Sequence, residues 1–146
     1  MNLVLPIKEI SLANIFLNEP VKNTVVDDSN FIRIIYSNQD FVLNSFYIKV
    51  DIYNKKSTNF NVGNIETYII NLIDLIDNLE RDILNKYSTD KEQNNKLKEQ
   101  LQYYIQKFNS NCSETMISYL LKISGIWETN NIIGLTYKFI YFNTWK

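Results

Sequence analysis

The sequence predicts an α+β fold: an antiparallel sheet or small barrel with a two-helix hairpin inserted between N-terminal and C-terminal strands. Three observations predict it. Apolar residues alternate with period two across 31–54, recur every three or four positions across 65–108, and return to β character across 119–142. At 146 residues, 45% hydrophobic and 21% charged, the chain has the length and composition of one soluble domain spanning 1–146.

Residues 1–30 are the least regular part, read as an arm or edge strand with a short strand at Met1–Leu5 and breaks at Pro6 and Pro20. Phe31-Ile32-Arg33-Ile34-Ile35-Tyr36 is β-branched and aromatic, as a strand requires, and stops at the turn formers Ser37-Asn38-Gln39-Asp40. The next strand has the cleanest alternation. Phe46, Ile48, Val50 and Ile52 fall on one face, and Tyr47, Lys49, Asp51 and Tyr53 on the other. Lys55 through Gly63 reads as a polar loop.

Ile65, Ile69, Leu72, Ile76, Leu79 and Ile83 then form the stripe of an amphipathic helix, with Asn64 as its expected N-cap and Glu66 suited to the helix dipole. A second helix is expected after Asp90, its cap, with Leu97, Leu101, Tyr104, Ile105 and Phe108 on one face. The short connection implies an antiparallel hairpin whose stripes are core. Leu120–Glu128 and Gly134–Phe142 are the last two strands, joined at Thr129-Asn130-Asn131. Leu135, Tyr137, Phe139 and Tyr141 alternate with Thr136, Lys138, Ile140 and Phe142, so one of two apolar faces meets the helices.

The composition argues for binding over catalysis. There is no histidine, one cysteine and three glycines, so the usual parts for neutral-pH acid–base chemistry, zinc sites and glycine-rich phosphate cradles are missing. No catalytic residue, metal or cofactor is expected. Asp74, Asp77 and Arg81 have the spacing of a solvated helix face. Gly63, Gly125 and Gly134 read as loop or strand-bend positions, and Cys112 as an inert thiol in a reducing compartment. Asn111-Cys112-Ser113 matches a glycosylation acceptor, but the first residues resemble no secretory leader and no run is apolar enough to span a membrane. An intracellular protein is expected. Abundant Asn, Ile, Lys, Tyr and Phe match A/T-rich coding, as in some large DNA viruses and parasites.

The net charge of −1 conceals a partition. Residues 65–108 carry six basic and eight acidic side chains, and 1–30 carry two and four. Residues 31–60 carry four basic against two acidic, and 109–146 three against two. A basic sheet beside acidic helices is the expectation. Aromatic residues are 14% of the chain and several adjoin the lysines, a combination suited to phosphate contact plus base stacking on single strands. The binding candidates are Tyr47, Lys49, Lys122, Trp127, Tyr137 and Lys138.

Leu121-Lys122-Ile123-Ser124-Gly125-Ile126-Trp127-Glu128-Thr129 followed by Gly134-Leu135-Thr136-Tyr137-Lys138-Phe139, with the earlier Tyr47-Ile48-Lys49-Val50-Asp51, resembles a viral family. That family is the small single-stranded-DNA-binding proteins of podophages and large eukaryotic DNA viruses. The resemblance covers about a third of the chain. It implies an OB-like barrel, no catalysis, a role in replication or recombination, and Lys49, Lys122, Trp127 and Lys138 as contacts. Members often end in an acidic tail with a terminal aromatic, whereas this sequence stops at Phe142-Asn143-Thr144-Trp145-Lys146. The location implied is host cytoplasm or a viral factory. The alternative expectation is a viral structural or protein-interaction module that forms a homo-oligomer through its sheet or helical hairpin.

Overall fold

A computed structural model describes residues 3–24, 28–54, 62–88, 90–111 and 116–142. The elements run β1 (Val4–Leu5), β2 (Ile15–Leu17), β3 (Val21–Lys22), β4 (Asn30–Ser37), β5 (Val42–Asn44), β6 (Phe46–Tyr53), α1 (Val62–Tyr87), β7 (Glu92–Gln93), α2 (Leu97–Asn111), β8 (Met116–Glu128) and β9 (Ile132–Phe142). The class is α+β, with a mostly antiparallel sheet and two helices between its strands.

β8 organises the sheet. Its first part pairs with β6 from Met116↔Tyr53 to Ile123↔Phe46, and its last residues pair with β4 from Gly125↔Arg33 to Glu128↔Asn30. β9 follows the other side of β8, with a register shift between Ile123 and Gly125. β1 joins the edge of β6 in parallel, and β7 joins β9 in parallel at Ile132 and Ile133. Beyond Arg33, β4 leaves β8 and is flanked by β2 and β5. Among the described residues the pairings form one mostly antiparallel sheet, and no ladder among them closes it into a barrel.

The period-two alternation of β6 becomes a core face: Phe46, Ile48, Val50 and Ile52 are buried with Ile32, Ile34, Leu121, Ile123 and Ile126. Both helices cover this face. Ile65, Ile69, Leu72, Ile76 and Ile83 of α1 and Leu97, Leu101, Ile105 and Phe108 of α2 join the same cluster, and Tyr104 meets Tyr119 and Phe139 at 4.7 and 5.2 Å between ring centroids. Burying one such side chain contributes about 1.5–3 kcal/mol.

Several boundaries differ from expectation. α1 begins at Val62, so Gly63 lies in its first turn and Asn64 is helical, not a cap. α2 begins at Leu97, well past Asp90, because residues 92–93 pair with β9. The amides at its start are met from the other helix: buried Glu80 accepts the N–H of Lys96 at 3.2 Å and that of Leu97 at 3.3 Å. The turn after β4 forms as expected, with Asn38 Oδ1 accepting the N–H groups of Asp40 and Phe41. Residues 55–61, Cys112 and 143–146 lie outside the described residues.

Candidate nucleic-acid interface

Residues directly opposed across a ladder point to the same face, so register decides which predicted contacts share a surface. Tyr47 opposes Lys122, which opposes Lys138, forming one row across β6, β8 and β9. The next row holds Lys49, Leu120 and Ile140, and a third pairs Asp51 with Ser118. Across the bulge, Phe31 opposes Trp127 and Arg33 opposes Gly125. These rows lie on the side opposite the buried residues of β6 and β8, although Tyr68 of α1 reaches the end of β6, donating to the Asp51 carbonyl at 2.7 Å.

Tyr137 does not. It opposes Ile123, a core residue, and its ring contacts Phe139 on the helix-facing side. Burial pushes its hydroxyl pKa up, helped by the carboxylate of Glu80. Five of the six candidates therefore gather on one face and Tyr137 belongs to the other. Choosing between the alternating sets of β9 required the partner strand, because both sets are apolar.

The gathered face is basic: Arg33, Lys49, Lys122 and Lys138 stand against Asp51 alone on these rows of β4, β6, β8 and β9. Lys122 Nζ lies 5.8 Å from the Tyr47 ring centroid and Arg33 Cζ 5.6 Å from that of Phe31. Such contacts steady a cation at about 0.5–1 kcal/mol without neutralising it. Lys49 Nζ is 3.8 Å from Asp51 Oδ1, an exposed pair that holds weakly. Asp51 is itself shared, accepting from Ser118 Oγ at 2.6 Å. Lys138 is exposed and has no ion pair among the described residues.

Two glycines shape the aromatic end. A Cβ on Gly134 would stand 2.5 Å from Trp127 Cζ2, and one on Gly125 would stand 2.3 Å from Ile32 O and 2.6 Å from Phe31 Cζ. The indole and phenyl rings thus lie over bare backbone of a neighbouring strand. Gly125 sits at the register shift, as a strand bend would, whereas Gly134 is a seat for a ring within β9. Phe31 and Arg33 were not among the sequence candidates, although the alternation of β4 separates them from Ile32 and Ile34.

The polar clusters elsewhere are structural in form. Asp77 accepts from Arg81 Nε at 3.1 Å, the helix-face pair that the spacing predicts. Glu128 accepts from Lys91 Nζ at 2.8 Å, Tyr87 Oη at 2.9 Å and Asn30 Nδ2 at 3.3 Å. Burial alone would raise its pKa, but these three donors hold the carboxyl below the usual range. No helix among the described residues is long and apolar enough to cross a membrane. No protein-family model, curated protein or solved structure matches the chain.

Proposed function

We propose that the chain is a non-catalytic binder of single-stranded nucleic acid, with single-stranded DNA of a viral replication or recombination system as its target. The observation that carries this reading is the in-register row Tyr47–Lys122–Lys138, continued by Lys49 and by the Trp127 and Phe31 rings, on the sheet face opposite the helices. Lysines at strand spacing meet phosphates, and flat rings on the same surface receive bases, each stacked base adding about 1–3 kcal/mol.

Fluorescence anisotropy with a labelled oligonucleotide tests it. If Arg33, Lys49, Lys122 and Lys138 each meet one phosphate, the single-strand slope of about 0.7 per contact gives an affinity loss of roughly 50-fold between 50 and 200 mM salt. Lys122→Ala should flatten that slope by about 0.7, and Trp127→Ala should weaken binding at least fivefold with the slope kept. Leu120 and Ile140 give this face an apolar centre, which favours a second reading as an interface between copies. A stable oligomer with no oligonucleotide binding at low salt would support that second reading and refute the first.

A further inference from the structure

The binding face does not end at Arg33. Burial alternates along the whole of β4, so Phe31, Arg33, Ile35 and Ser37 present one side even after the strand exchanges β8 for β2 and β5. At about 3.3 Å per residue this side runs roughly 20 Å from Phe31 to Ser37. Phe16 of β2 and Asn44 of β5 oppose Ile35 and extend it sideways. Phe16 is 51% exposed, and Lys86 Nζ lies 5.7 Å from its ring centroid.

Beside Phe16 the surface opens into a pocket of about 530 Å³, lined by Asn14, Phe16, Ser37, Asn38, Gln39 and Asp40. Asn38 Oδ1 is occupied by the turn. The side chains of Asn14, Gln39 and Asp40 make no hydrogen bond or ion pair among the described residues. The pocket therefore offers an exposed aromatic ring, with Lys86 over it, and two planar amides and one carboxylate uncommitted among the described residues, at the far end of a basic and aromatic strip.

We infer that this pocket is a base-reading subsite that takes one amino-bearing base of the bound strand, stacked on Phe16 and held at its edge by Asp40, Asn14 and Gln39. The inference rests on the single-strand reading above and adds selectivity to it. Asn and Gln side chains match the mixed donor–acceptor edges of bases, and a carboxylate accepts from an exocyclic amine. Cytosine, adenine and guanine carry such an amine. Thymine has no amine and presents two carbonyl oxygens, which Asp40 repels.

Anisotropy with oligo-dC and oligo-dT of about twelve nucleotides at roughly 50 mM salt tests the assignment. The wild-type chain should bind oligo-dC about fivefold or more tightly than oligo-dT. Phe16→Ala and Asp40→Asn, both at exposed positions, should remove that preference and leave the salt slope unchanged, whereas Lys122→Ala should weaken both oligonucleotides alike. Equal wild-type affinities, or a preference that survives both pocket substitutions, overturns the subsite while the single-strand reading stands. Absence of binding to either oligonucleotide overturns both.

Discussion

Glu80 makes stability fall as the solution becomes less acidic, the reverse of the usual carboxylate contribution. Its side chain is fully buried, and burial pushes its pKa up to about 7, against a lowering by the amides of Leu97 and Lys96. Asp77 raises it further and Arg81 opposes that. From the ordinary 4.5 to about 7 is some 2.5 units, or about 3 kcal/mol at 1.36 kcal/mol per unit. The folded chain holds this proton more tightly than the unfolded chain. Stability from this group is therefore complete below pH 4.5 and is lost as pH rises through 7. The chain has no histidine, so the side-chain class that ordinarily titrates near neutrality is absent. Urea unfolding followed by circular dichroism at pH 5, 6, 7 and 8 reads the effect directly. Glu80→Gln keeps an acceptor for the Lys96 and Leu97 amides but cannot ionise. Its unfolding free energy should vary between pH 5 and 8 by about 2.5 kcal/mol less than that of the wild type. An identical pH profile in the two proteins would show that Glu80 is not the group responsible.

Further outcomes follow from the same geometry. Gly134→Ala forces a Cβ into the indole of Trp127, so it should lower stability by about 1–3 kcal/mol in urea titrations and weaken oligonucleotide binding as the ring is displaced. Lys91→Met removes the closest donor to Glu128, so a loss of about 1–3 kcal/mol is expected at pH 7, shrinking as Glu128 protonates below pH 4.5. Tyr137→Ala should reduce thermal stability, because its ring lies against the core, and leave the salt dependence of binding as in the wild type. A change of salt slope in that variant would place Tyr137 on the binding face after all.

Strand and helix types were legible because each had a periodic apolar pattern: alternation at Phe46 to Ile52 and the stripe Ile65 to Ile83 reappear as buried faces. The helix starts were less legible. Asn64 and Asp90 have cap chemistry, yet α2 is met by Glu80, seventeen residues before Leu97, and no local pattern announces a cap delivered by another helix. That five of the six candidates share a face was readable from alternation plus charge. Tyr137 falls on the other face, which the sequence does not show because both faces of β9 are apolar and only its pairing with Ile123 decides the side. The pocket at Asn14 and Asp40 joins residues separated by β2 and β4, a juxtaposition that sequence spacing does not carry.

The central position of β8 has a consequence for how the protein is made. β4 and β6 do not pair with each other as a continuous ladder; the strand that joins them is β8, which is synthesised more than sixty residues after β6 ends. At about 5–20 residues per second the ribosome needs roughly 3–12 s to cover that interval. During it, β4 can pair with β2, β3 and β5, and β6 with β1, but the edges that β8 will cover stay open. The join between the β4 and β6 groups is thus deferred until the last hairpin emerges. Truncations that stop short of β8 should therefore yield aggregation-prone chains instead of a smaller stable domain.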